Sequence, residues 1–199
     1  MNKLVTGVIL ILSVVLMIPL QGFAATPMAT VETGVNKVLA TLTDPAFKSK
    51  SKDAQVADLT QVISTIFDFQ ELSKRTLGRG WRNMNDAQRK EFVELFRDLL
   101  QGVYADRLLA YSNQKIIFDK ENMLRKDQAE VQSYLQTADG KKIPLFYRLT
   151  DKSGSWKVYD VIIEGVSMVN NYRSQFREIL AKDSPEKLLE ILRSKVGKG

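Results

Sequence analysis

The sequence predicts an α+β fold with N-terminal helices, a four-stranded antiparallel meander sheet and C-terminal helices. Three observations support this prediction. Apolar residues recur at three- and four-residue steps from about Thr30 to Tyr111, alternate with polar residues from Gln114 to Ile163, and return to helical steps after about Met168. Helices that precede and follow a run of strands are typical of helices packed on one face of a curved sheet. No repeat or second domain interrupts this order.

Residues 1–24 are predicted to form a cleaved signal peptide. An early lysine is followed by the mostly apolar stretch Leu4–Leu20, and Gly22 and Ala24 are small residues of the kind that a signal peptidase reads. A membrane anchor is the alternative, because a span of about 17 residues reaches the lower limit for crossing a bilayer. A proline near the end of the stretch and the lack of a basic flank favour cleavage. Cleavage leaves residues 25–199 as a single domain.

The absence of two residue types limits the catalytic and metal-binding functions that the chain can have. The sequence contains no cysteine and no histidine. This excludes disulfides, thiol nucleophiles, the commonest metal ligands and the side chain best suited to acid–base catalysis near neutral pH. We therefore predict no metal site and no cofactor. An exported protein without disulfides also favours the Gram-negative periplasm.

The chain is basic, with a formal net charge of +6. Several of its cations lie close together in the sequence: Arg79, Arg82, Arg89, Lys90 and Arg97. No nucleic-acid-binding motif accompanies them, so no nucleic-acid partner is predicted. The simplest interpretation is a solvated face, and the functional alternative is attraction toward acidic partners or anionic lipid headgroups.

The first half of the chain predicts helices with recognisable ends. A helix over Thr30–Thr43 stops before an Asp-Pro pair, and a second apolar stripe runs through Val56–Phe67 after a polar linker. Asp68 and Glu71 have the spacing of a capping box and predict the start of a short helix. That helix is expected to end near Gly78, because glycine is common just beyond helix ends.

A long helix is predicted next, from Asn85 to about Tyr111, with Gln88 in the position that supports its start. Its apolar stripe is wider than one packing seam requires. Gly102 lies within it and is expected to bend or split the helix. Either change would let the helix wrap around an object.

Four strands follow, and then two helices. Asp139-Gly140 and Ser153-Gly154 provide hairpin turns between runs of alternating residues. The last strand, Ser155–Ile163, is apolar on both faces and is therefore predicted to lie centrally. Helical spacing over Val169–Leu180 and a further helix starting at Ser184-Pro185 complete the chain.

Two acidic residues, Asp160 within this apolar strand and Glu164 directly after it, are the best candidates for catalysis. On a continuous strand the Cα atoms of Asp160 and Glu164 would be about 13 Å apart, whereas carboxylate pairs in glycosidases are separated by roughly 5 to 9.5 Å. A structural role is therefore predicted. Asp160 is expected to meet Arg173 or Arg75, and Glu164 to hold the N-terminus of the helix that starts at Ser167.

The apolar residues leave two interpretations open. The wide stripe of the long helix, the inner face of the sheet and the double-sided last strand are consistent with a large filled core. They are equally consistent with a cavity between the sheet and the helices. Composition and periodicity do not distinguish these alternatives.

A set of short motifs is spread along most of the mature chain. They are Phe67-Asp68-Phe69, Leu77-Gly78, Trp81, Gln88-Arg89, Phe92, Phe96, Leu99-Leu100, Tyr104, Trp156, Tyr159-Asp160-Val161, Glu164-Gly165-Val166-Ser167, Asn171-Tyr172-Arg173 and Phe176. No one motif is diagnostic, but their order and spacing together are specific. They resemble the periplasmic phospholipid-binding component of the Mla (maintenance of lipid asymmetry) pathway, also called the toluene-tolerance family.

The resemblance implies a soluble periplasmic carrier whose cargo is a glycerophospholipid, held without any cofactor. In the family, the partners are an inner-membrane ABC transporter with an MCE-domain protein and an outer-membrane lipoprotein complex. Such a carrier would move lipid between the two membranes and so maintain the lipid asymmetry of the outer membrane. Indifference to the headgroup is expected, because the headgroup would stay outside the apolar cavity.

On this basis we predict an apolar pocket formed by the inner face of the sheet and the inner stripe of the long helix. Ile163 is the ambiguous member, and Val161 or Ile162 could replace it. The predicted lipid-binding residues are Leu100, Tyr104, Val131, Leu135, Ile143, Leu145, Tyr147, Val158, Ile163, Val166 and Met168.

Two other functions are kept as alternatives. A periplasmic chaperone or adaptor for apolar polypeptide segments would expose an open groove. A hydrolase would use Asp160 and Glu164, and its turnover would be lost when Asp160 is replaced by asparagine.

Overall fold

The computed structural model describes residues 25–111, 114–152 and 154–197 of the chain. The predicted signal peptide lies outside the described residues, as does Ser153 of one predicted hairpin turn. The helices are α1 (Pro27–Thr43), α2 (Pro45–Lys48), α3 (Lys52–Ser64), α4 (Phe69–Leu77), α5 (Asp86–Leu109), α6 (Met168–Leu180) and α7 (Pro185–Val196). The strands are β1 (Lys115–Arg125), β2 (Gln128–Gln136), β3 (Lys142–Lys152), β4 (Ser155–Ile163) and β5 (Val166–Ser167).

This order confirms the predicted α+β fold. The strands form one antiparallel meander in the order β1-β2-β3-β4-β5. The difference from the prediction is β5, a two-residue strand added after a tight turn. Within the described residues, no helix combines the length and the hydrophobicity that a membrane crossing requires.

The predicted helix starts are formed by side-chain caps. Asp68 accepts a hydrogen bond from the backbone N–H of Glu71 at 2.8 Å, and Asn85 and Gln88 form a reciprocal capping box. Such caps satisfy N–H groups that have no partner within the helix. The prediction for Gly102 is corrected in part, because α5 continues through it without a break.

Two well-packed cores flank the middle of the molecule. The helical core joins α4, α5, α6 and α7 around Phe92, Phe96, Tyr172 and Phe176, whose ring centroids lie 5.0 to 5.7 Å apart. The second core joins α1 to the inner face of the sheet. Because α5 belongs to the helical core and α1 to the sheet core, the space between them is the place where a cavity can form.

Strand β4 was predicted to lie centrally in the sheet, but it is the last of the four long strands, with only the two-residue β5 beyond it. Both of its faces are nevertheless apolar and buried, because it connects the sheet to the helices. It pairs with β3 along one edge. On the other edge, the N–H of Val158 donates to Ile66 O at 3.0 Å, and the N–H of Asp68 donates to Val158 O at 2.8 Å. These bonds attach the segment between α3 and α4 to the sheet, so β4 holds the helices and the sheet together.

The corner between β4 and α6 is fastened by Asp160, but not through the predicted arginines. Its side chain is 2% exposed and accepts hydrogen bonds from Ser167 Oγ at 2.6 Å and from the N–H of Val169 at 3.0 Å. The nearest guanidinium belongs to Arg148, with Nη1 4.0 Å from Asp160 Oδ2. The expected partners are engaged elsewhere: the Arg173 side chain donates to the carbonyl oxygen of Arg75.

Glu164 does not hold the N-terminus of α6 as predicted. It is exposed and adopts a positive φ of 50°, followed by Gly165 at 82°. These left-handed conformations make the tight turn into β5. Two N-terminal N–H groups of α6 instead have side-chain acceptors: that of Val169 donates to Asp160, and that of Asn170 donates to Ser167 Oγ, both at 3.0 Å.

Candidate functional site

A cavity of about 430 Å³ lies between the two cores. Its walls come from helices α1, α3 and α5 and from the inner face of the sheet, and almost all of the lining side chains are apolar. Its volume lies within the range of about 300 to 1,000 Å³ that is usual for sites that bind small molecules. Among the described residues, no group of acidic side chains is arranged to hold a metal ion.

The sheet supplies the wall opposite α5. Residues of β2 and β3 that face the cavity alternate along the strands, as the period-two pattern predicts: Leu135, Ile143, Leu145 and Tyr147. Ile116 of β1 lies on the same face. Pairing of Leu135 with Ile143 aligns two of these side chains across neighbouring strands.

A β-bulge in β4 resolves the ambiguity of the last strand. Arg148 pairs with Asp160 and Leu149 with Val158, so Tyr159 is an extra residue without a partner of its own. An extra residue reverses the alternation of side chains from that point. Consequently Val158, Val161 and Ile163 all line the cavity, although a regular strand would place Val158 on the face opposite to the other two.

Nine of the eleven residues predicted to form the pocket lie on the cavity wall. They are Leu100, Tyr104, Leu135, Ile143, Leu145, Tyr147, Val158, Ile163 and Met168. Val131 lies on the expected face of β2 but is packed in the sheet core with Val31 and Leu149, and none of it is exposed. Val166 lies in β5 at the edge of the sheet and is 61% exposed, so it is not a wall residue.

The prediction missed two walls, which come from α1 and α3. Their contributions are Val31, Val35, Val38, Leu39, Leu42, Val56, Leu59, Thr60 and Ile63. Both helices show a clear apolar stripe in the sequence, but such a stripe packs equally well against a protein core or a ligand. The spacing of the apolar residues does not reveal whether they contact the protein core or line a cavity.

Few polar groups interrupt the apolar walls. The Tyr147 hydroxyl is buried near Ser133, and this burial raises the pKa of Tyr147 well above its ordinary value, although the Ser133 side chain acts to lower it. Arg97, Gln101 and Arg107 lie along α5. Asp160 and Glu164 are not among the wall residues, so neither carboxylate faces the cavity.

Comparisons with known proteins agree with this architecture. A solved structure of a phospholipid-binding protein from Ralstonia solanacearum, determined in complex with a phospholipid, is 28% identical with a TM-score of 0.79. The match covers 87% of this chain and 98% of that one.

Two curated relatives also match. The intermembrane phospholipid transport system binding protein MlaC of Haemophilus influenzae is 33% identical over 119 residues, covering 58% of this chain and 56% of that protein. The chain therefore matches little more than half the length of this relative. The toluene tolerance protein ttg2D of Pseudomonas putida is 27% identical over 162 residues, covering 80% of this chain and 75% of that protein. The family model described as MlaC protein matches residues 32–194, and the chain belongs to this family.

Proposed function

We propose that this protein binds a glycerophospholipid with its acyl chains in the cavity and carries it through the periplasm. The apolar cavity between the two cores is the observation that carries the proposal. The Ralstonia relative, which was solved with a phospholipid bound, supports the same cargo. The apolar walls, with few polar groups, favour acyl chains over an apolar polypeptide segment, whose backbone groups would need hydrogen-bond partners.

The physical need for such a carrier follows from the cost of moving a lipid through water. Each exposed methylene group costs about 0.8 kcal/mol. Two tails of roughly sixteen carbons each therefore cost on the order of 20 kcal/mol or more, which makes spontaneous desorption very slow. A cavity that holds the tails removes most of that barrier while the headgroup stays hydrated.

The proposal includes the route of the lipid. Export through a cleaved signal peptide at residues 1–24 would place the protein in the periplasm. There it would exchange lipid with an inner-membrane ABC transporter carrying an MCE-domain protein and with an outer-membrane lipoprotein complex. Lipid exchange with both partners would maintain the lipid asymmetry of the outer membrane.

A pair of matched substitutions tests whether the cavity holds the cargo. Ile143 lies on the cavity wall, whereas Val166 lies in β5 at the edge of the sheet and is exposed. Replacing each by glutamate introduces the same charge at the two positions. Burying a carboxylate against acyl chains is strongly unfavourable, so Ile143→Glu is expected to lose its lipid and Val166→Glu to keep it.

The measurement is native mass spectrometry of protein purified from a Gram-negative periplasm, followed by lipid extraction. The wild-type protein is expected to carry a phospholipid. Circular dichroism establishes that both variants are folded. A folded wild-type protein that neither carries nor takes up lipid would contradict the proposal, as would equal lipid occupancy in the two variants.

Transport is tested separately with donor and acceptor vesicles that contain a fluorescent phospholipid. The wild-type protein is expected to accelerate transfer in proportion to its concentration, and Ile143→Glu is expected to lose this acceleration. Lipid binding without any acceleration of transfer would support a lipid-binding role and refute the carrier role.

A further inference from the structure

The charges on the cavity wall are of one sign. Two cationic side chains, Arg97 and Arg107, border the cavity, and no carboxylate lies among the lining residues that the structure describes. Both arginines belong to α5. They are separated by ten residues, which corresponds to about 15 Å along a helix, so one small anion cannot sit between them.

The two arginines differ in how far their charge is already neutralised. Arg97 contacts the neighbouring carboxylate, with Nη2 3.0 Å from Asp98 Oδ1. Arg107 forms no ion pair within the described residues, and its guanidinium carbon lies 5.8 Å from the centre of the Tyr104 ring. The adjacent acid, Asp106, pairs with Lys52 of α3 at 2.8 Å. The charge of Arg107 therefore remains available.

Arg107 also lies where the cavity meets solvent. Among the described lining residues, only Arg107 and Ala110 are exposed, and both are at the C-terminal end of α5. The other lining residues are buried or half-buried. A ligand with apolar tails inside the cavity would place its polar end near this exposed position.

We propose that Arg107 forms a binding subsite for the phosphodiester group of the lipid cargo. This proposal rests on the proposed lipid-binding function and names the chemical group that the mouth of the cavity selects. A guanidinium binds phosphate oxygens through two parallel N–H donors, which gives both charge and geometric complementarity. The phosphodiester is common to all glycerophospholipids. The subsite would therefore tolerate different headgroups and discriminate against diacylglycerol, which has the same tails and no phosphate.

The structural alternative is that Arg107 only complements the negative end of the helix dipole, as a basic residue in the last turn does. This alternative predicts an effect on stability and none on lipid choice. The experiment therefore measures both quantities.

Lipid-depleted protein is incubated with detergent micelles that contain equal amounts of dioleoyl-phosphatidylglycerol and dioleoylglycerol, and the bound lipids are quantified by mass spectrometry. The wild type is expected to enrich the phospholipid. Arg107→Gln is expected to lower the ratio of bound phospholipid to bound diacylglycerol by about three- to tenfold, because a charge-assisted contact is lost at a partly solvated site. Arg107→Lys, which keeps the charge without the planar fork, is expected to give an intermediate ratio.

Arg82→Gln is the matched control, because Arg82 is also an exposed arginine and is not among the cavity-wall residues. It is expected to leave the ratio unchanged, and thermal unfolding of each variant separates an effect on stability from one on selection. A second arm titrates lipid-free protein with inorganic phosphate at constant ionic strength. No saturable, Arg107-dependent binding is expected, because without acyl chains in the cavity a single exposed contact is too weak.

The outcomes distinguish the two proposals. If the wild type binds neither lipid, the proposed lipid-binding function fails. If it binds both lipids and Arg107→Gln leaves their ratio unchanged, the phosphate subsite is refuted while lipid binding stands. If inorganic phosphate binds tightly and depends on Arg107, the site belongs to a free anion and the assignment to the lipid headgroup is overturned.

Discussion

Replacing Asp160 tests whether the corner between β4 and α6 is a structural element. Its buried carboxylate accepts from Ser167 Oγ and from the N–H of Val169. Asp160→Ala leaves both donors buried without this acceptor. A hydrogen bond to a charged group contributes about 1.5 to 3 kcal/mol, so the variant should lose roughly 3 to 5 kcal/mol of the free energy of unfolding. Asp160→Asn keeps one acceptor oxygen and should lose roughly 1 to 2 kcal/mol.

Urea unfolding followed by tryptophan fluorescence measures these losses. Glu164→Ala is the control, because Glu164 is exposed in the same turn region and should change the free energy of unfolding by less than about 0.5 kcal/mol. A loss below about 1 kcal/mol in Asp160→Ala would refute the structural role. Under the hydrolase alternative, Asp160→Asn would abolish turnover of a lipid ester at unchanged stability, whereas we expect wild type and variant to show equally little turnover.

Three further predictions concern packing and charge. A Cβ at Gly34 of α1 would lie 2.5 Å from Ile66 Cδ1, so Gly34→Val should lower the free energy of unfolding, measured in urea, by about 1 to 3 kcal/mol. Gly102 has open space around it, so Gly102→Ala should raise the free energy of unfolding by about 0.5 to 1 kcal/mol. Equal effects of the two substitutions would contradict this packing. Phe96→Ala removes a ring with no exposed surface from the aromatic cluster and should lower the free energy of unfolding by about 3 to 5 kcal/mol in the same assay. A loss near 1 kcal/mol would mean that neighbouring side chains can fill the cavity left by the ring. Burial alone would raise the pKa of Asp68, but hydrogen bonds and charge attraction from Lys152 and the N–H of Glu71 outweigh it and lower the pKa below 3.8. The ionised Asp68 therefore stabilises the fold at pH values above the ordinary aspartate pKa, and this stabilisation is lost as the pH falls through the lowered pKa of the folded state. Lys152→Gln removes part of the effect, so its free energy of unfolding should fall less than that of the wild type between pH 5 and pH 3, at an ionic strength of about 0.1 M.

Local signals in the sequence predicted most of the fold. The capping residues Asp68 and Asn85 begin helices where their spacing to Glu71 and Gln88 indicates, because a cap depends on atoms within one helical turn. The period-two runs became strands for the same reason. The helix and strand order followed from these local preferences without knowledge of any long-range contact.

Long-range geometry accounts for the predictions that were wrong. The bulge at Tyr159 depends on how β4 pairs with β3, and no residue pattern within β4 reveals it. Asp160 lies among apolar residues in the sequence, so an arginine from another segment was expected to pair with it. Its partners are instead Ser167 and Val169, because the bulge and the turn at Gly165 bring the start of α6 against it. Short hydrogen bonds from the start of α6 satisfy this buried carboxylate, and the contact with a guanidinium is longer and comes from Arg148, not from the predicted arginines.

The position of α5 explains why its apolar stripe is wider than one seam requires. Its N-terminal half carries Phe92 and Phe96 into the helical core, and its C-terminal half presents Tyr104 and Leu108 to the cavity. Apolar residues that contact two different partners along the length of one helix must cover more of its circumference than residues that contact a single partner. The aromatic cluster holds the first half without contributing to the cavity wall. Leu100, which belongs to the helical core and also lines the cavity, lies where the two surfaces meet. The same division places Arg107 at the end of α5 that is farthest from this core, where a polar group of the cargo can reach it from solvent.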